Sequence, residues 1–199
     1  MIKSGVNNMS LYKVVRNICK AAMKFFYRVE HINSENIPTE GGVLFCANHT
    51  SNLDPVMLGV TNRREFSFMA KESLIKIPLL GTIIKKLGVI PVKRNSNDIL
   101  AIKKAIEALN SGKAIMIFPE GTRHKDGVIR DAKDGAALLI KKTGATVVPC
   151  ALTKHSLFKK SRVIFGKPLD MSEYKDSKDL KHITNVIMDE VKKLYEELK

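Results

Sequence analysis

The sequence predicts an α/β fold, a single domain with a mostly parallel, helix-flanked central sheet preceded by an N-terminal basic amphipathic helix. Three observations carry that expectation. Short apolar runs at Val43–Ala47, Ala114–Phe118 and Ala145–Leu152 are partly β-branched and bounded by glycine, proline or polar residues, as buried strands are. Gly88–Arg94, Asn95–Asn110 and Ala114–Phe118 read in order as strand, helix and strand, a crossover unit that implies parallel pairing. A chain of 199 residues is long enough to bury one core and does not require two.

The formal net charge of +14 favours anionic partners: a phosphorylated substrate, an acidic carrier, an anionic bilayer or nucleic acid. No recognisable binding module accompanies the basic residues, so nucleic acid is set aside. Cys19, Cys46 and Cys150 lie in mainly apolar surroundings without paired spacing, which argues against a disulfide framework or zinc site and for a reducing compartment. Neither a signal-peptide pattern nor an apolar run of roughly 20 residues is present, so the expectation is a protein that is soluble or lies on a membrane surface.

In chain order, Leu11–Val29 has Val14, Val15, Ile18, Ala22, Phe25 and Phe26 at helical spacing opposite Lys13, Arg16, Lys20, Lys24 and Arg28. Such a helix either lies in the headgroup layer of a bilayer, each cation contributing about 1 kcal/mol near an anionic surface, or packs on its own domain. Glu30 and His31 end it. Residues 1–32 are taken as the membrane-associating helical segment and 33–199 as the α/β domain. Pro38 and Gly41-Gly42 mark a connector into the strand Val43–Ala47, and a helix follows Pro55 to about Val60. Glu65–Ala70 alternates as a strand and delivers Lys71 and Glu72 at its end.

The segment Ile77–Leu87, broken by Pro78 and Gly81, either joins the core or lines an apolar cleft. The strand Gly88–Arg94 ends in Lys93 and Arg94. In the following helix Ile99, Leu100, Ile102, Ile106 and Leu109 form the apolar face, with Gly112 as the stop. His124–Asp134 is polar and reads as a mobile loop; Asp134–Lys142 is a helix closed by Gly144. Arg162–Phe165 reads as a strand and Asp179–Leu198 as a helix with a solvated Lys/Glu face. His155 and His182 have no partners nearby in sequence and receive no role.

Two stretches carry chemistry. His49 stands where the strand Val43–Ala47 ends, and Asp54 follows it by five residues, too far for one helix face and too near for separate elements. A turn must fold one towards the other. The pair suits a histidine general base whose tautomer is held by a carboxylate. Asp54 is equally an N-cap with Pro55 at the first helical position, and the two readings coexist, one oxygen for each. The second stretch, Pro119-Glu120-Gly121-Thr122-Arg123, follows the strand Ala114–Phe118 directly. Gly121 allows close backbone approach, Arg123 offers a planar fork for phosphate oxygens and Glu120 accepts hydrogen bonds from hydroxyls, a set suited to a polyol phosphate or to a plain turn with an ion pair.

Taken in order, His49-Thr50-Ser51-Asn52-Leu53-Asp54, Gly88-Val89-Ile90-Pro91-Val92-Lys93-Arg94, Phe118-Pro119-Glu120-Gly121-Thr122-Arg123 and Val148-Pro149-Cys150 closely resemble the glycerolipid acyltransferase family. The likeness spans about Ile37 to Leu152 and is greatest to the bacterial 1-acylglycerol-3-phosphate acyltransferases. The resemblance implies transfer of a fatty acyl group from an acyl-CoA or acyl-carrier-protein thioester to the free hydroxyl of lysophosphatidic acid, giving phosphatidic acid. It implies His49 as base and Asp54 as its orienter. Arg94 is placed with the acceptor phosphate, Glu120, Gly121, Thr122 and Arg123 on the acceptor side, and Val148-Pro149 on the acyl-chain side or in a shaping role. Lys71 stands where the family often has a basic residue.

No metal or cofactor is implied beyond the acyl donor, and the expected place of work is the cytoplasmic face of the cell membrane, peripheral or monotopic. The family's aromatic residue and Lys-Gly pair after the third block are replaced by Ala132-Lys133-Asp134-Gly135. Direct transfer fits, because no Gly-x-Ser-x-Gly elbow is present. Two alternatives stand beside this one: an acyltransferase for glycerol-3-phosphate or another lysophospholipid, and a non-catalytic peripheral protein that binds anionic lipid.

Overall fold

Strand β2, Val43–Ala47, is buried along its whole length and organises the sheet on both faces. Its residues alternate: Val43, Phe45 and Ala47 enter one core, Leu44 and Cys46 the other. The computed structural model describes residues 3–61, 64–76, 89–92 and 98–199. Within them β1 (Glu30–Ile32), β2, β3 (Phe66–Lys71), β4 (Ile90–Val92), β5 (Ala114–Ile117), β6 (Thr146–Leu152) and β7 (Arg162–Phe165) form one sheet in the order β1-β7-β6-β2-β5-β3-β4. From β6 to β4 every neighbouring pair is parallel; β7 runs antiparallel to β6, and β1 is parallel to β7.

The helices are α1 (Lys3–Tyr27), α2 (Asp54–Gly59), α3 (Glu72–Ile75), α4 (Ile99–Asn110), α5 (Gly135–Thr143) and α6 (Leu180–Glu197). Met23 of α1 and Met57 and Leu58 of α2 close the face of Phe45 and Phe66, whose rings meet edge to face at 4.8 Å. Ala101, Ala105 and Leu109 of α4, Ala137 and Ile140 of α5, and Ile183 and Ile187 of α6 close the other.

Three details differ from the sequence expectation. Glu30 and His31 do not simply end the first helix: they form β1, and His31 Nε2–H donates to Met57 O at 2.8 Å. Burial pushes the His31 imidazole below its ordinary range, against that bond. Ile99 and Leu100 are exposed, because packing Ala101, Ala105 and Leu109 against the sheet sets the phase of α4 and turns its first residues outward. Asp98 caps that helix, accepting from Ala101 N at 3.1 Å. The stretch read as a mobile loop after His124 is tied at both ends, His124 N to His49 O at 2.8 Å and Lys133 N to Pro119 O at 2.9 Å. The segment Ile77–Leu87 and the cations Lys93 and Arg94 lie outside the described residues.

Helix α1 packs on its own domain along one side and leaves apolar residues exposed on the other. Tyr12 OH accepts from the buried Phe66 N–H at 3.0 Å, and Cys19, Ala22 and Met23 pack on the core. Val14, Ile18 and Phe25 remain more than half exposed. Among the described residues no helix is long and apolar enough to cross a membrane.

Because β3, β5, β2 and β6 are parallel, their C-terminal ends share one edge of the sheet. His49 follows β2, Glu120–Arg123 follow β5, His155 follows β6, and Lys71 ends β3. Strands fed by helices on alternate faces leave a crevice at this edge, which is where open α/β sheets hold ligands.

Candidate active site

The five-residue gap between His49 and Asp54 is folded by one carboxylate. Asp54 is fully buried, and its Oδ2 accepts from Thr50 N at 2.6 Å and Ser51 N at 2.7 Å. His49 Nδ1 lies 2.8 Å from the same oxygen. An oxygen already accepting two backbone N–H groups takes Nδ1–H as its third donor, so the neutral ring keeps its lone pair on Nε2. The N-cap reading of Asp54 is corrected: its side chain makes no cap hydrogen bond to α2 but turns back into the loop before it. Pro55 sits in the first turn as expected.

The His49 ring is held on its flat side too. Phe118, the residue after β5, stacks against it with centroids 4.0 Å apart and planes 16° from parallel. The side chain is 11% exposed, so the imidazole reaches solvent while most of its surface is covered. Asn48 fixes the strand end beneath it, donating to Leu152 O at 3.1 Å and accepting from Leu152 N at 2.9 Å. This two-way bond locks β2 to β6 one residue before the histidine.

Glu120 is placed differently from the expectation. It is buried, and Oε1 accepts the His49 backbone N–H at 3.0 Å while Oε2 accepts the Arg130 N–H at 3.0 Å. His124 Nε2 stands 3.5 Å from Oε2. The carboxylate thus joins three loop positions instead of facing open solvent for a ligand hydroxyl. Gly121 adopts a left-handed φ of +69° and turns the chain over the stem of Lys133, where a Cβ would come within 3.2 Å of Lys133 Cδ. Thr122 and Arg123 are exposed, and Arg123 Nη1 donates to Asn52 Oδ1 at 2.5 Å, which draws the turn after β5 onto the His49 loop. Further out, the Arg130 guanidinium bound to Asp126 holds that carboxyl down at about 2.

The structure therefore brings His49, Asp54, Glu120, Gly121, Thr122 and Arg123 together. Lys71 ends β3, exposed, on the same edge of the sheet. Arg94 is outside the described residues. Pro149 is buried in β6 beside Cys46 of β2, a shaping position within the sheet. Four contributors escaped the sequence reading: Asn48, Phe118, the amides of Thr50 and Ser51, and His155, whose Nδ1 is 3.7 Å from Asp54 Oδ1. Asn48 directly precedes the first motif and Phe118 opens the third, and that position is the available signal; His155 has none. Among the described residues no three His, Cys, Asp or Glu side chains gather as metal ligands.

A general acyltransferase family model matches residues 28–153, which takes in the His49 loop and the Glu120–Arg123 turn. The 1-acyl-sn-glycerol-3-phosphate acyltransferase of Borreliella burgdorferi is 33% identical over 181 residues, covering 83% of this chain and 71% of that one. The protein of the same name from Bacillus subtilis is 31% identical over 171 residues, 82% and 85%. The crystal structure of the 1-acyl-sn-glycerophosphate acyltransferase of Thermotoga maritima superposes with a TM-score of 0.77 at 27% identity, covering 98% of this chain and 83% of that one. The chain belongs to the acyltransferase family, and its fold is that of the Thermotoga enzyme.

The Glu120 contacts make a stability prediction. Glu120→Ala leaves the His49 and Arg130 amides unpaired and is expected to cost about 2–4 kcal/mol, or roughly 5–10 °C in Tm. A thermal melt unchanged from wild type would show that these bonds do not hold the site.

Proposed function

We propose that the protein transfers a fatty acyl group from an acyl-CoA or acyl-carrier-protein thioester to the free hydroxyl of 1-acylglycerol-3-phosphate, forming phosphatidic acid. The observation that carries this reading is the buried Asp54 carboxylate holding His49 Nδ1 at 2.8 Å, which leaves Nε2 as an unprotonated base at the ligand edge of the sheet. The names of the Borreliella, Bacillus and Thermotoga relatives support the choice of acceptor.

In this mechanism His49 Nε2 removes the hydroxyl proton as the oxygen attacks the thioester carbonyl. The tetrahedral centre then expels the thiolate, which takes the proton back from Nε2–H as the C–S bond breaks and the ester forms. Asp54 orients the ring and stabilises its charged form, and general base catalysis of this kind contributes roughly 10²- to 10⁴-fold. Arg123, exposed beside the His49 loop, offers its fork to the acceptor phosphate, with Lys71 and Arg94 assigned to the same phosphate as further cations. Gly121 and Thr122 shape the turn that presents Arg123. Glu120 acts by position, through the His49 amide.

The acceptor and the donor chain are both amphiphiles, so the enzyme works at a bilayer surface as a peripheral or monotopic protein. The support is an exposed cluster of Phe25, Phe26 and Phe158, ring centroids 4.9 to 6.4 Å apart, extended by Val14, Ile18 and Leu157 and flanked by the exposed Lys13, Lys24, Lys154, Lys159 and Lys160. Cys19, Cys46 and Cys150 form no disulfide, which fits the cytoplasmic face.

In detergent micelles, wild type is expected to form phosphatidic acid from labelled acyl thioester and lysophosphatidic acid. His49→Ala and Asp54→Asn should lose at least about 10²-fold in kcat while remaining folded. Full activity in either folded variant would contradict the base assignment, and a preference for glycerol-3-phosphate in direct competition would replace the acceptor. For the surface, Phe25→Ser with Phe158→Ser should weaken sedimentation with phosphatidylglycerol-containing vesicles by roughly tenfold or more, as expected for withdrawing two buried aromatic rings. Unchanged binding would remove this face from the interface.

A further inference from the structure

Asp54 has two oxygens, and they are served unequally. Oδ2 takes three donors at 2.6 to 2.8 Å, whereas Oδ1 has Thr50 Oγ1 at 3.3 Å. On the Oδ1 side stands His155. Its side chain is only 4% exposed, and neither ring nitrogen makes a hydrogen bond. Its Nδ1 is 3.7 Å from Oδ1, at ion-pair range and a few tenths of an ångström outside hydrogen-bond range. A buried imidazole without a partner is costly, and so is a buried carboxylate oxygen with one long bond. Each supplies what the other lacks.

The placement of His155 is built. Tyr27, the last residue of α1, lies edge to face against the imidazole with centroids 5.7 Å apart and planes at 88°, which fixes the ring plane. The segment that carries it, between β6 and β7, is bound to the end of α1 through Phe158 N to Phe26 O at 2.5 Å and Ser161 N to Tyr27 O at 3.1 Å. Phe158 takes a left-handed φ of +62° there, a conformation a bulky residue adopts only when its surroundings hold it.

We infer that His155 is a positioning residue for the His49–Asp54 pair, its Nδ1–H holding Asp54 Oδ1 so that Oδ2 stays in the plane of the His49 ring. The inference rests on the reading of His49 as base and Asp54 as orienter. With Oδ1 held only by the long bond from Thr50 Oγ1, the plane of the carboxylate rests mainly on the donors to Oδ2. Anchored on both oxygens, it presents a fixed lone pair to Nδ1–H throughout proton transfer. As His49 becomes an imidazolium, the carboxylate carries the counter-charge, and closing the gap to His155 spreads it over a second donor. The same segment bears Leu157 and Phe158 on the exposed aromatic cluster, so the proposed bilayer contact and the pair share one piece of chain.

Three variants test this. Asparagine places an N–H donor at the position of Nδ1, glutamine moves it one bond outward, and phenylalanine keeps the ring against Tyr27 without a donor. Steady-state kinetics with both substrates, a thermal melt and His49→Ala as control are read together. The expected result is that His155→Phe and His155→Gln lower kcat about tenfold with KM unchanged for either substrate, the lower end of what outer hydrogen-bonding partners contribute, while His155→Asn stays within about threefold of wild type. If His155→Phe does not fold, the contrast between asparagine and glutamine decides.

Wild-type kcat in the phenylalanine or glutamine variant, or equal losses in asparagine and glutamine variants that track a lowered melt, would overturn the positioning role. In both cases His49→Ala stays inactive and the base assignment stands. Activity retained in His49→Ala would overturn that assignment and this inference with it.

Discussion

A single carboxylate oxygen, Asp54 Oδ2, holds together the loop on which the site depends. It binds the amides of Thr50 and Ser51 and the Nδ1 of His49 while wholly buried. A buried charge is tolerated only where donors surround it, so removing any of the three exposes the cost of the others. The loop is therefore built inward from Asp54, and the direction in which His49 points is a by-product of satisfying that charge. Asp54 does not cap α2 because it already lies in the first turn, with Leu53 at the cap position, and its Oδ2 is taken by the loop.

The rest of the fold delivers neighbours to this loop. Parallel pairing of β5, β2 and β6 aligns three strand ends: after β5, Phe118 stacks on the ring and Glu120 bonds the His49 amide, while Asn48 after β2 bonds to Leu152 of β6. These contacts act on different parts of one residue, its ring face, the strand before it and its backbone. Together they leave the side chain little freedom beyond exposing Nε2. Arg123 and Asn52 then tie the turn after β5 to the loop after β2. Arg123 is thereby set beside the loop that carries His49.

What could be read from sequence follows from how each feature is encoded. The buried strand β2, the crossover through α4 and the bent His49–Asp54 gap are local patterns, and the structure reproduces them. The edge strand β1 is three residues long, too short for periodicity to register, and it exists because β7 offers it a partner. The exposure of Ile99 and Leu100 could not be foreseen from spacing, because the phase of α4 is chosen by small residues, Ala101 and Ala105, that fit against the sheet. The inward turn of Glu120 is not encoded in the motif, which shows residue type but not which way a turn faces. His155 carries no local signal, because its neighbours Asp54 and Tyr27 are distant in the chain and meet it only once β6 has crossed beside β2.

All of this converges on a proton inventory at one ring. With Asp54 Oδ2 saturated by donors, His49 must carry its proton on Nδ1 and present a bare Nε2. The most direct test is ¹⁵N-edited NMR of the histidine side chains in wild type, with the His49 signals assigned by their loss in His49→Ala. The account predicts that the neutral His49 ring is the Nδ1–H tautomer, with a strongly deshielded Nδ1 proton. A neutral His49 protonated on Nε2, with Nδ1 bare against the carboxylate, would contradict it.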